Sequence, residues 1–220
     1  MRIRIGPVAS FLVVTLLIAC SPASTPSTPT PSATTTPMAT TTIAVPTPTA
    51  PPISIASGPI PPVIGQLIEA VVAKQAAPLA ALATYLQVGC TKALGVGGPP
   101  KCKGADVTGS VYKVFAAGRC EPEWVEDAGL TIAQIVTSAG PLYAAATIAP
   151  AGPTPDTSWP KGDSVVLFRG VGPGAPASYF ILNAGRIVQA HFVCDTGSGG
   201  EDRELRRLGA TSYYVAPSVR

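Results

Sequence analysis

YFILNAGRIVQAHFV, residues 179–193, is the stretch on which the fold turns. Two runs rich in β-branched and aromatic residues flank Asn183-Ala184-Gly185, and Asn183 is the only asparagine of the chain. A glycine placed for positive φ between two such runs predicts a β-hairpin with a three-residue loop and a bulge. Because strand side chains alternate, Val188, Ala190, Phe192 and Cys194 are expected on the apolar face of the second strand. Ile187, Gln189, His191 and Val193 are expected on the other.

Working outward, residues 107–115, 142–148 and 165–168 are similarly short, β-branched and bounded by Gly and Pro clusters, and so read as strands. Residues 213–215 read as a final edge strand. Val63, Ile64, Leu67, Ile68, Val71 and Val72 form a helical stripe ending near Lys74. Pro78 suits the first turn of a second helix, with Leu79, Leu82 and Leu86 as its apolar face. Thr131 with Gln134 matches a capping box opening a short helix through Ser138, before Gly140-Pro141. Residues 199–209, dense in Glu and Arg, read as a solvated helical turn with Asp202 facing Arg206. The expected class is therefore α+β, with N-terminal helices packed on an antiparallel sheet.

The first third of the chain is different in kind. After Arg4 no charged residue appears until Glu69. Arg2 and Arg4 precede the uncharged apolar run VASFLVVTLLIA (8–19), the layout of a secretory signal and too short to span a bilayer, which needs about 20 helical residues. Leu17-Ile18-Ala19-Cys20, followed by Ser21, resembles the lipobox of bacterial lipoproteins. That resemblance implies cleavage by signal peptidase II before Cys20 and a diacylglyceryl group on its thiol. Residues 21–57 are all Ser, Thr, Pro or Ala except five, with no charge, glycine or aromatic ring. Such a stretch buries too little apolar surface to offset about 1 to 2 kcal/mol of backbone ordering per residue, so a disordered stalk is expected. Its composition also suits O-glycosylation, although a plain spacer is the simpler reading. The domain plan is a signal peptide at 1–19, lipidated Cys20 with its stalk to residue 57, and one folded domain at 58–220.

VIGQLIEAVVAKQAAPLAALATYL and the 179–193 hairpin resemble the opening helices and late hairpin of the NTF2-like superfamily. This implies a curved sheet wrapped by helices into a cone around a pocket. The Gly- and Pro-rich insertion before the first strand, and the cysteines, depart from that pattern.

Four cysteines remain for the exported domain, and of the three pairings Cys90 with Cys102 and Cys120 with Cys194 is favoured. A zinc site from these cysteines and His191 lacks a Cys-x2-Cys pair and is disfavoured, so no metal is expected. Gly95 to Lys101 invites a phosphate-loop reading, but no Gly-Lys-Ser/Thr follows and Pro99 and Pro100 remove amide donors. No cofactor motif and no catalytic residue is read. His191, the only histidine, is taken either as a partly exposed strand residue or as a pocket group together with Tyr179, Asp163 or Asp195.

Without Arg2 and Arg4, 13 basic residues face 12 acidic ones, which gives no reason to propose nucleic acid as a partner. Five basic residues and one acid lie between Lys92 and Arg119, followed directly by Glu121, Glu123, Glu126 and Asp127. This dipolar segment suits either solvent or a charged envelope partner. Trp124 and Trp159 are read as packing rings or contact rings.

The expected function is thus a noncatalytic binding domain displayed outside the cytoplasm on a lipid anchor, for an envelope polymer or small molecule. The alternative is a small-molecule enzyme or carrier using His191 on an NTF2-like frame. Cys20→Ala is predicted to release the protein from the membrane fraction; a variant that stays fully membrane-bound on fractionation contradicts the anchoring argument.

Overall fold

A computed structural model describes residues 58–149, 159–195 and 197–217. The expected signal peptide, Cys20 and stalk lie outside the described residues. The described residues all belong to one compact unit, Thr49–Arg220.

Pro62 opens α1 (Pro62–Val72), where its missing N–H is not needed; of the predicted stripe Ile64, Leu67 and Val71 are buried, joined by Ala70, whereas Val72 is 67% exposed. The chain leaves α1 through Lys74 at φ 57° and enters α2 (Ala76–Ala80), which is shorter than expected. Leu82 and Thr84 instead exchange backbone bonds with Ile187, and Leu86 opens a strand, β1 (Leu86–Gly89). Ladder pairing thus overrides a weak helical propensity across residues 82–86.

The strands β2 (Val111–Gly118) and β3 (Pro122–Val125) come next, followed by α3 (Ala128–Ser138). The cap of α3 is Asp127, whose carboxylate accepts from Gly129 N at 2.8 Å. Thr131 and Gln134 therefore lie inside the helix, not at its start. The remaining elements are β4 (Ala139–Ile148), β5 (Ser164–Gly170), β6 (Ser178–Asn183), β7 (Arg186–Phe192), α4 (Gly200–Arg207) and β8 (Ala210–Val215).

The strands form one sheet in the order β1-β2-β7-β6-β5-β4-β8, with β3 also paired to β2. Neighbours are antiparallel except β2 and β7, which run parallel with Gly118 opposite His191. Just beyond that register the Cys120–Cys194 bridge joins the two strand ends, while Cys90–Cys102 closes the segment after β1. Four of the cysteines are thus in the pairing favoured from the sequence.

The central hairpin has a tighter turn than expected. Asn183 pairs with Arg186, leaving a two-residue loop in which Ala184 (φ 48°) and Gly185 (φ 77°) are both left-handed, the geometry of a type I′ turn. Asp163 supports it, accepting from Ala184 N at 2.9 Å. The bulge lies within the ladder, where the register shifts between Ile181 and Leu182 and leaves Val188 as the extra residue. Its effect is to reverse two facings. Ile187 packs with the helices, and Val188 joins His191 and Val193 on the opposite side.

Both faces of the sheet are covered. α1, α2 and α3 pack on one, over Phe115, Val166, Phe168, Phe180, Leu182 and Ala190. On the other, Leu205 of α4 and Tyr213 of β8 pack over Tyr143, Val165, Leu167 and Ile181. Two-sided burial explains why Val165 to Phe168 is apolar without alternation. α4 pairs its charges differently from the expected Asp202–Arg206. Tyr143 donates to Asp202, and Arg207 pairs with Glu204.

Replacing both Cys120 and Cys194 with serine is predicted to lower the unfolding free energy by about 4 kcal/mol. The Cys90 and Cys102 pair should cost about 3, since its loop is shorter. Urea unfolding of the two double variants tests that order.

Candidate functional site

β7 carries His191 on the face opposite helices α1 to α3. Its cross-strand neighbour on β6 is Tyr179, and the two rings stack with centroids 5.1 Å apart and planes 8° apart. Its neighbour on β2 is Gly118, where a Cβ would come within 2.5 Å of His191 Nδ1; only a glycine leaves room for the ring. Trp159 closes the stack from above, 5.3 Å from His191, and Trp124 of β3 packs 5.1 Å from Trp159. At the far end Arg207, held by Glu204, donates to Tyr179 Oη at 3.1 Å.

A ladder of five side chains, Arg207, Tyr179, His191, Trp159 and Trp124, therefore runs from α4 to the sheet edge. The sequence-predicted pair His191 and Tyr179 is brought together in it. The expected carboxylates are engaged elsewhere. Asp163 serves the hairpin turn, and Asp195 pairs with Arg203 at 2.5 Å.

His191 is 9% exposed, so the reading of a partly exposed strand histidine is corrected. A hydrophobic face on one side of a ring and aromatic neighbours on the other exclude water from it. Burial, reinforced by the Arg207 charge, pushes its pKa down to about 3, and the ring stays neutral. Its Nε2 and the indole N–H of Trp159 are both buried without a hydrogen-bond partner. Tyr179 is pushed up, chiefly by burial and then by the Glu204 carboxylate.

The ladder ends at a cleft of about 990 Å³. One wall is the disulfide-closed segment from Gly95 to Lys103, and the other is Arg119 to Asp127 with Leu130 of α3. Trp124 spans the walls, its indole N–H donating to Gly98 O at 2.8 Å. Charge of both signs lines it. Lys103 pairs with Glu126 at 2.5 Å, and this contact raises the lysine pKa. Tyr112 donates to Asp106 at 2.5 Å, accepts from Lys103 N at 2.8 Å, and is pushed up by the Asp106 carboxylate.

Of the dipolar segment seen in the sequence, Lys101 and Lys103 thus lie on one wall of this cleft, and Glu121, Glu123, Glu126 and Asp127, with Arg119, on the other. A second, more apolar groove of about 720 Å³ follows, lined by Leu130, Ala133 and Thr137 of α3 against Phe192 and Pro176. Arg119, Cys120 and Leu130 belong to both.

Sequence reasoning missed β3, a four-residue strand that opens on proline and carries a charged Glu123, and with it the cleft wall. It also missed the ladder, since the spacing of Trp124, Trp159 and His191 in the chain carries no periodic signal. Among the described residues no group of three or more His, Cys, Asp or Glu side chains could hold a metal ion, and no helix is long and apolar enough to cross a membrane. Comparison with protein-family models, with curated proteins and with solved structures gives no match.

The depressed His191 pKa carries a sign. Between its folded value near 3 and the ordinary 6.5 the unfolded chain binds more protons, so stability rises with pH across that window. His191→Phe keeps a ring in the stack and removes the titration. Its unfolding free energy is expected to fall less than that of the parent between about pH 7 and about pH 4, by up to about 1.4 kcal/mol per pH unit. Equal slopes in urea unfolding contradict a buried neutral imidazole.

Proposed function

We propose that the protein is a lipid-anchored envelope protein whose domain binds, without catalysis, a ligand lodged in the cleft between the Gly95–Lys103 segment and β3. The observation that carries this reading is the cleft itself. A concave site of ligand size has an aromatic wall at Trp124, fixed cations and anions on opposing sides, and one wall braced by a disulfide. The charges of both signs suit an envelope polymer bearing amine and carboxylate groups, such as the peptide stems of a cell wall. Export is supported by the two disulfides, which favour an oxidising compartment. Anchoring rests on the lipobox resemblance at Leu17 to Cys20.

Kinship with NTF2-like proteins belongs to the same proposal. Its support is the order of early helices and late hairpin, with α1 to α3 on one face of the sheet. A second reading, a small-molecule enzyme or carrier centred on His191, is favoured by the two adjacent buried groups without partners, His191 Nε2 and Trp159 Nε1.

The two readings separate in a titration of the full chain with soluble peptide-bearing wall fragments, followed by tryptophan fluorescence. Saturable binding is expected, weakened about thirtyfold by Trp124→Ala, as for an aromatic anchor, and unaffected by His191→Phe. No saturable response, or a loss confined to His191→Phe, overturns the cleft reading.

A further inference from the structure

The segment closed by the Cys90–Cys102 bridge, whose Gly98 contacts Trp124, also exposes aliphatic side chains; of these Val96 lines the cleft and Leu94 does not. At its tip, Leu94 is 99% and Val96 75% exposed. Val107 and Val111 are exposed at the base of the loop, with Val107 O lying 3.3 Å from Cys90 Sγ and 3.4 Å from Cys102 Sγ. A loose apolar loop would fold back over itself. This one is held out. Thr91 N donates to Pro100 O at 2.8 Å and Cys102 N to Thr91 O at 3.0 Å. Cys90 is tied at both its N–H and its carbonyl to Ser110 and Gly109.

The loop itself carries charge of one sign, although its cleft-facing side meets Glu121, Glu123 and Glu126 on the opposite wall. Residues 91–105 contain Lys92, Lys101 and Lys103 and no acid. Lys103 is paired with Glu126, and nearby Asp106 accepts from Tyr112. Lys101 Nζ reaches only a carbonyl, Ala93 O at 3.0 Å, and Lys92 stands exposed. Two cations therefore flank two aliphatic side chains with no acidic partner. The tip has none of the aromatic or arginine anchors that dominate protein interfaces. Short aliphatic side chains ringed by lysine ammoniums instead match the boundary of an anionic bilayer, where the apolar groups enter the acyl region and the cations stay among the phosphates.

We propose that this loop is a membrane-docking tip, seating Leu94 and Val96 in an anionic bilayer surface with Lys92 and Lys101 on the headgroups. The inference does not require the cleft to bind anything, and because Val96 and Lys101 belong to both, a docked tip and a filled cleft draw on the same wall.

Leu94→Trp in the full chain, reconstituted with phosphatidylglycerol and phosphatidylcholine vesicles brominated on the acyl chains, tests it. The introduced indole is expected to shift to the blue and to be quenched beyond the emission of Trp124 and Trp159 in the unmodified chain. Adding Lys92→Glu and Lys101→Glu should lower the ratio of docked to free loops by at least about fivefold per lysine. An indole that bromine leaves unquenched overturns the proposal, as does equal quenching in pure phosphatidylcholine vesicles. Every substituted position is exposed, so an unchanged far-ultraviolet circular dichroism spectrum certifies that each variant is folded.

Discussion

The parallel pairing of β2 with β7 is the constraint on which the rest of the domain depends. All other ladders join antiparallel neighbours, and the chain on either side of this pair builds its own local sheet. β1, β2 and β3 form one such piece, and β4 to β8 the other. Three paired positions, from Ala116↔Gln189 to Gly118↔His191, weld them, helped by the parallel bridge of Ala83 with Ile187. A slip of one residue would turn His191 toward the helices and bring a side chain where only Gly118 fits. The Cys120–Cys194 bridge lies at the end of this short ladder, where fraying would begin, and it spans 74 residues of chain.

The two faces of the sheet then diverge in character. The helical face is aliphatic and aromatic throughout, with Phe168 and Phe180 meeting edge to face at its centre. The opposite face mixes that packing with polar rings whose hydrogen-bonding capacity is only partly met. Tyr179 has Arg207, Trp124 has Gly98, and between them His191 Nε2 and Trp159 Nε1 have nothing. Stacking in a dry environment keeps the imidazole uncharged, so the ladder is a rigid strut ending at the cleft wall. Trp124, fixed on the cleft wall by β2 and by Gly98, is thus connected through packed rings to Arg207 of α4.

Much of the sheet was legible because β-branched runs between Gly and Pro clusters have few alternatives. The hairpin at 179–193, the strands near 142–148 and 165–168 and the first helix all fall where local pattern puts them. What escaped was decided by tertiary contacts. Residues 82–86 were drawn from a helix into pairing with Ile187 and β2, and β3 forms from a poor strand sequence because β2 offers it a free edge. The bulge at Val188 reversed the facing of Ile187 without any mark in the residue pattern. Within the candidate site, the cysteine pairing and the nearness of His191 to Tyr179 were readable, the first from spacing and the second from hairpin register. Trp159 was not, because a residue isolated between prolines and glycine belongs to no period.

Lys74 has a consequence of a mechanical kind. Leaving α1 in a left-handed turn, it sends its ammonium across to α3 and donates to the carbonyls of Val136 (2.9 Å), Thr137 (3.3 Å) and Ala139 (2.5 Å). One side chain thereby ends two helices, satisfying carbonyls that α3 would otherwise leave orphaned. Besides its packing on the sheet, α1 is tied by this latch to α3, whose residue Leu130 borders both clefts. The entry of the chain into the domain and the wall shared by both clefts are thus mechanically connected through one lysine.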